Sequence, residues 1–533
     1  MQQMQQQPII ILRENVDRTQ GYEAQRSNIA AAKAIAEAVR STLGPRGMDK
    51  MLVDGTGDVV ITNDGITILD EISVKHPGAK MVIEVSRTQD EAVGDGTTTA
   101  VVLVGALMEQ AELMLNRQIH PSVICRGFNM GMKKALEILD EMAMDVDPFD
   151  RDVLLKITST AMTGKAIEVV KDKIGAIAVD AVMAVAERDG DKISVNEENV
   201  QIKKHLGATM DDAELIRGIL IDKKRVNSGM PKKITDAKVA LIVGPLAINK
   251  TEVKSKIKIS TTEQLQAFSD QENETLKAMA DAILASGANV VFCQKGIADP
   301  VQYFLAKQGV LACEDVPETD LKFAARALGA TVVNKASELS SDVLGEAEIA
   351  YEFEDSEMIR VDGCKNPKTV TILLRGTSHY LVDELDRAIV DGTRVVMDAI
   401  EDGKFVPGGA AVETELAIKL REYATQVGGR EQLAIEGYAE SFSIIPLTLA
   451  ENSGLNQIDK LVELKRAHAN NEKNLGLNVY TGQLVDMVEA GVLEPLRSKR
   501  QSIQSSEEVV NMLIRIDDMM ISKGLSDMSG PAL

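Results

Sequence analysis

The chain has 533 residues, 44% hydrophobic and 26% charged, with 3% aromatic and no Trp. At roughly 150 residues per domain it should form about three or four folding units, with cores of Ala, Val, Ile, Leu and Met. Lys and Arg number 59 against 81 Asp and Glu, a net charge of -22 with no basic block, which argues against a nucleic-acid partner.

The Gln-rich start leads to an apolar run only from Pro8 to Leu12, too short for a signal peptide, and no apolar stretch approaches the ~18 residues of a membrane span. A soluble, cytoplasmic protein without membrane contact is the expectation. Residues 28 to 41 are Ala-rich with helical spacing, stopped by Gly44-Pro45. Val59 to Ile61 and Ile66 to Leu69 flank Asn63-Asp64-Gly65 and predict a hairpin. Helices are expected from Ala100 through Met114 and from Pro121 to about Met142. Past Asp147-Pro148 a helix is expected over Ala166 to Glu187, then short strands at Val200 to Ile202 and Gly218 to Ile221, as in a smaller α/β unit. From Val239 to about Gly363, apolar strands (Val239 to Val243, Asn289 to Cys293, Val310 to Cys313, Thr331 to Val333) alternate with helices, a compact α/β pattern. Within it, Ser260-Thr261-Thr262-Glu263 reads as a capping box opening a helix that stops near Gly287. A helix over 380 to 400 and a helix-rich segment to about 523 complete the chain.

Four cysteines (Cys125, Cys293, Cys313, Cys364) lie apart without a C-x-x-C pair, and five histidines (His76, His120, His205, His379, His468) show no metal-ligand spacing. Buried thiols and surface histidines are expected in a reducing compartment. The sharpest local feature is Gly94-Asp95-Gly96-Thr97-Thr98-Thr99, which runs into Ala100-Val101-Val102-Leu103. Glycines let backbone amides approach a ligand, hydroxyls can donate, and a helix N-terminus carries about half a positive charge, so the segment suits an anion. Asp95 inside it would repel phosphate unless a cation intervened, which suggests Mg²⁺. A plain helix cap is the alternative. No Walker loop and no G-x-G-x-x-G occurs here, because Ser159 and Thr99 stand where glycine is needed. Taken singly, Gly44-Pro45 reads as a helix end, Asp64-Gly65 as a turn, Lys165 as a solvent-facing residue in a first helical turn, and Asp391 as part of a solvated acidic face with Asp383, Glu384, Asp386 and Asp398.

Together these pieces say more. TLGPRGMDK (42 to 50), NDG (63 to 65), VGDGTTTA (93 to 100), TGK (163 to 165), GANVVFCQKGI (287 to 297), LLRG (373 to 376) and GLNVYTG (476 to 482) resemble, in order and from about Gln7 to Gly524, the group II chaperonins of the archaeal thermosome type. The resemblance implies a multidomain α+β and α/β chaperonin fold. A mostly helical equatorial domain would comprise 1–149 and 406–533. A small intermediate α/β domain would comprise 150–217 and 371–405, and an apical α/β domain with a helical protrusion 218–370. It also implies an ATPase, a subunit of a homo- or hetero-oligomeric double ring that encloses unfolded polypeptide, with a built-in lid and no separate cochaperonin. ATP and Mg²⁺ would be its cofactors. Carried over by position, Gly44 and Asp95, Gly96, Thr97, Thr98 and Thr99 would hold the phosphates, with Asp95 the Mg²⁺ ligand. Lys165, with Thr163 and Gly164, would sense the γ-phosphate, while Gly409, Asn478 and Glu494 would surround ribose and adenine. Asp64 and Asp391 would orient and deprotonate the attacking water, since phosphoryl transfer is mainly positioning and charge neutralisation.

Four positions depart from the family pattern: Ala410 follows Gly408-Gly409 where a third glycine is usual, Gly392 follows Asp391 where Ala is common, and Glu314 and Asp315 replace frequent basic residues. Two competing functions stay open, a ring scaffold with a purely structural nucleotide site and a small-molecule kinase, and measured ATPase activity and particle size would separate them.

Overall fold

In the computed structural model the described residues run from 16 to 522, apart from 54, 56, 58, 166, 191, 249–261, 354–356 and 365–368. The expected capping box at Ser260-Thr261, the Gln-rich start and the last residues lie outside this set. The chain divides into two compact units: one from Met1–Val146, Thr163–Ala166 and Asp402–Leu533, the other from Asp147–Met162 and Ile167–Glu401.

The first unit is a helical body. Helices Tyr22–Arg40, Pro77–Val93, Thr97–Asn116, Pro121–Met142, Ala411–Val427, Gly429–Ser441 and Leu496–Ile514 bury one core of Ala, Val, Ile and Leu, with Phe128, Tyr438 and Phe442 at its centre. Thr97–Asn116 is apolar enough to cross a bilayer by length and composition, with a mean hydropathy of 1.4. This corrects the expectation that no stretch approaches such a length. In the fold it is a core helix, buried from Ala100 to Met108, which is why it is apolar nearly all round. The strands Val16–Gln20 and Asp518–Ser522 pair antiparallel, so the two ends of the described chain share one ribbon.

The NDG hairpin is a second correction. Val59–Thr62 pairs with Lys50–Val53, and Gly65–Glu71 is a helix capped by Asp64, whose carboxylate accepts from Thr67 N at 3.1 Å. The β-branched run Ile66-Thr67-Ile68 favours a strand by propensity, but the cap and the burial of Ile68 and Leu69 win. Two of the histidines cap helices: His76 Nδ1 accepts from Gly78 N and His120 Nδ1 from Ser122 N, each followed by Pro at the first helical position. His468 is buried rather than surface-exposed, its two ring nitrogens on Glu415 Oε2 at 2.9 Å and Leu475 O at 2.8 Å.

In the second unit, Lys233–Ile242 is the central strand of a seven-stranded sheet among the described residues. Val290–Cys293 and Val332–Val333 flank it in parallel, Leu311–Cys313 extends the parallel edge, and Gly345–Phe353, Met358–Cys364 and Gly218–Ile221 continue antiparallel on the other side. The parallel strands are buried on both faces, which explains their continuous apolar runs. Cys293 and Cys313 lie in them, and burial pushes the Cys293 thiol up to about 11, an inert core residue. Val200–Leu206, Val370–Gly376 and Glu214–Ile216 form a second, three-stranded sheet. The helix expected from Ala166 is shorter, Lys171–Val185, and a further helix, Arg151–Met162, precedes it. His379–Asp402 packs close at Gly392, where an added Cβ would lie 2.1 Å from the Met162 methyl. Its acidic face is not simply solvated, because Glu384 is buried against Arg387 and Lys204 bridges Asp383 and Asp386. Glu314 has a structural task, accepting from Ile297 N at 2.7 Å.

Candidate functional site

Two left-handed glycines shape the GDGTTT segment. Gly94 (φ +67°) ends the Pro77–Val93 helix and Gly96 (φ +78°) starts the cradle helix, Thr97–Asn116. No side chain among the described residues caps that start, so a Ser, Thr or Asp cap does not account for the segment, and the first amides of the helix, at Thr97, Thr98 and Thr99, are without an intrahelical acceptor. The hydroxyls of these three residues likewise donate to no described residue. The backbone between the glycines is fixed from behind: buried Gln89 donates to Asp95 O at 2.7 Å and to Ser498 O at 3.2 Å. The Asp95 carboxylate carries no hydrogen bond among the described residues.

Other loops gather at this helix start. An added Cβ on Gly65 would lie 2.5 Å from Thr98 Oγ1 and 3.0 Å from Thr98 N, so the helix capped by Asp64 abuts the cradle. Asp64 engages Thr67 N and Oγ1 through Oδ2 alone, leaving Oδ1 without a described partner. Asn63 Nδ2 donates to Gly164 O. Gly164 (φ +87°) in turn approaches Gly44, because a Cβ on it would come within 3.0 Å of Gly44 O and of Pro45 Cα. Gly44, Asp64, Asp95 to Thr99 and the Thr163-Gly164-Lys165 turn therefore belong to one neighbourhood in the first unit. Lys165 lies in that turn and not in the first turn of a helix, the expectation for it taken singly.

Gly409, Asn478 and Glu494 form a second group. Gly409 O accepts from Leu477 N at 2.9 Å, on the strand that ends at Asn478. Asn478 Oδ1 accepts from Tyr480 N and Thr481 N, which closes the hairpin to Gln483–Asp486. The Arg46 guanidinium lies 5.6 Å from the Tyr480 ring centre, linking this hairpin to the Gly44 loop. Glu494 pairs with Val406 across a short antiparallel sheet, next to Gly408-Gly409. Burial, opposed by Lys499 and aided by repulsion from Glu413 and Asp95, pushes its carboxyl up to about 7. The sequence marks neither Lys499 nor Glu413; Lys499 joins them to this group, bonding Glu413 at 2.6 Å and Glu494 at 2.7 Å. Asp391 is half-buried on the His379–Asp402 helix of the second unit.

Among the described residues no group of three His, Cys, Asp or Glu side chains is poised to hold a metal ion. One unbonded carboxylate beside open amides would fit a Mg²⁺ that arrives with a polyphosphate, since Mg²⁺ takes one or two carboxylates together with phosphate oxygens and water.

An open helix start beside glycine loops, in a helical unit whose first and last described strands pair, suits an anionic ligand such as a nucleotide. Residues 35–524 match the TCP-1/cpn60 chaperonin family. The chain is 52% identical over 532 residues to the thermosome subunit beta of Archaeoglobus fulgidus, covering 99% of this chain and 98% of that one. It is 51% identical to a thermosome subunit of Pyrococcus horikoshii, covering 98% and 96%. The open-state monomer of a group II chaperonin from Methanococcoides burtonii superposes with a TM-score of 0.61 at 41% identity, covering 80% of this chain and all of that one. The chain belongs to the TCP-1/cpn60 chaperonin family. Its fold is the multidomain chaperonin fold, and its function is that of an ATP-hydrolysing molecular chaperone working as a double ring.

Proposed function

We propose that the loops around the cradle helix hold MgATP, and that its hydrolysis drives lid closure over an unfolded polypeptide. The uncapped start of Thr97–Asn116 carries this proposal, because a helix start with its first amides open beside an unbonded Asp95 suits a polyphosphate and its metal. Gly44 and Asp95 to Thr99 receive the phosphates, Asp95 holds Mg²⁺, and Gly409, Asn478 and Glu494 surround ribose and adenine. The metal neutralises phosphate charge when bound. Asp64, with Oδ1 available, orients the attacking water. Asp391 takes its proton, a role assigned on family resemblance, and Lys165 with Thr163 and Gly164 reports the γ-phosphate. No covalent nucleophile is needed.

The same resemblance supports the remaining roles. An equatorial domain of 1–149 and 406–533 binds nucleotide, an intermediate domain of 150–217 and 371–405 relays its state, and an apical domain of 218–370 takes the client and supplies the lid, so no separate cochaperonin is required. Like subunits complete the two rings, and the cytoplasm is the compartment.

Asp391→Asn in the assembled protein tests the chemistry. Phosphate release should fall at least about a hundredfold, the usual scale of a lost general base, while binding of a fluorescent ATP analogue is retained. Undiminished phosphate release overturns the role of Asp391. Asp95→Asn should instead abolish the Mg²⁺ dependence of nucleotide binding.

A further inference from the structure

Behind the second group of site residues lies a charge cluster that the proposed nucleotide contacts leave unexplained. Lys499 sits in the first turn of the Leu496–Ile514 helix with 10% of its side chain exposed. Its ammonium donates to Glu413 Oε1 at 2.6 Å and to Glu494 Oε2 at 2.7 Å. Glu413 is 4% exposed, and its second oxygen has no partner among the described residues. One cation thus serves two carboxylates, and Asp95 adds a further negative charge close enough to repel Glu494. Such a cluster is a poor stability device, since desolvating buried ions offsets most of their attraction and an apolar replacement often does as well.

Its geometry has a positional use. Lys499 grips Glu494 by Oε2, and Oε1 is left facing the Gly408-Gly409 backbone, 2.9 Å from where a Cβ on Gly408 would stand. The neighbouring carbonyl, Ser498 O, is bonded by the same Gln89 amide that holds Asp95 O. One helical turn therefore fixes the carboxylate at one end of the site and, through Gln89, the loop at the other. Without the ammonium, the charges of Glu413 and Glu494 would stand unbalanced beside a ligand that brings several negative charges of its own.

We propose that Lys499 is a positioning residue of the nucleotide site, which holds the Glu494 carboxylate in place with Glu413 as its second anchor and offsets the negative charge beside the phosphates. This rests on the assignment of Glu494 to the nucleotide.

The test measures KM and kcat for MgATP, with equilibrium ADP binding, on the assembled full-length protein. Lys499→Met alone strands two buried carboxylates and risks misfolding, so the double variant Lys499→Met/Glu413→Gln, which removes one charge of each sign, is the one to measure. Its KM should rise about tenfold or more with kcat changed far less, the mark of lost binding rather than lost chemistry. Lys499→Arg, which keeps the charge, should recover most of the affinity. Adding Glu494→Gln to the double variant should weaken binding little further, because the two act as one unit. A folded double variant with wild-type KM, or a Glu494→Gln effect that simply adds, overturns the role of Lys499. If Glu494→Gln in the otherwise wild-type chain leaves KM unchanged, the assignment of Glu494 to the nucleotide fails instead.

Discussion

At the proposed phosphate end of the site a ligand would meet backbone: the open amides of Thr97 to Thr99 between left-handed Gly96 and the close-packed glycines Gly65 and Gly164. At the proposed ribose end it would meet charge: Glu494 held by Lys499, with Glu413 behind. Space is the vulnerable quantity at the first end and electrostatic balance at the second, because a methyl group cannot fit between abutting backbones, whereas an unpaired buried carboxylate cannot be solvated.

Gly65→Ala breaks the phosphate end most sharply. The new Cβ would stand 2.5 Å from Thr98 Oγ1 and 3.0 Å from Thr98 N, so either the Asp64-capped helix or the cradle must shift. Overpacking of this kind costs about 1–3 kcal/mol, and a displacement near 1 Å at a phosphate site lowers turnover by about a hundredfold. Steady-state ATPase assays should show that loss with a much smaller change in thermal midpoint. An active Gly65→Ala protein would mean that the contact is slack and the phosphate end is not space-limited.

The same contrast decides what could be read from sequence. The phosphate end is local: six consecutive residues and a helix start carry it, and glycine and threonine advertise the backbone geometry. The strands of the second unit were equally plain, because a sheet buried on both faces writes continuous apolar runs. The ribose end is not local. Glu413 and Lys499 are 86 positions apart, and nothing in either segment marks a pair. A faint signal exists, since Lys499, Ser502 and Ser506 recur at helical spacing and are all buried. A search for apolar periodicity passes over a helix whose inner face is partly polar. The Asp64 turn failed for another reason, as Ile66-Thr67-Ile68-Leu69 has strand composition and only the cap and the core behind it decide for helix.

The charge balance at the ribose end should also appear in the pH dependence of stability. Glu494 titrates near 7 in the fold against an ordinary value of 4.5. A carboxyl raised by folding holds its proton more tightly in the folded state, so its contribution is present at low pH and is lost as pH rises from about 4.5 through 7. Between pH 5 and pH 8 the wild-type thermal midpoint should therefore fall by a few degrees more than that of Glu494→Gln. Parallel curves for the two proteins would show that Glu494 ionises without penalty, and the ribose end would then not be charge-limited.

The smallest effect separates two left-handed residues, one near each end. Ala410 has φ +65° at the start of Ala411–Val427, a conformation that costs a residue with a Cβ roughly 1–2 kcal/mol. Its methyl is buried, with 2% of the residue exposed, and that burial recovers about 0.8 kcal/mol. Ala410→Gly relieves the strain but loses the methyl contact and adds about 0.4–1 kcal/mol of unfolded-state entropy. The terms nearly cancel, so stability should move by less than about 1 kcal/mol. Gly96→Ala has no such offset: its Cβ would lie 3.2 Å from both Gln89 Nε2 and Ser502 Oγ, polar atoms that give a methyl group nothing in return. It should lose about 1–2 kcal/mol from backbone conformation alone. Chemical denaturation of the two variants side by side measures the difference, and equal losses would remove the distinction between an end that tolerates a side chain and one that does not.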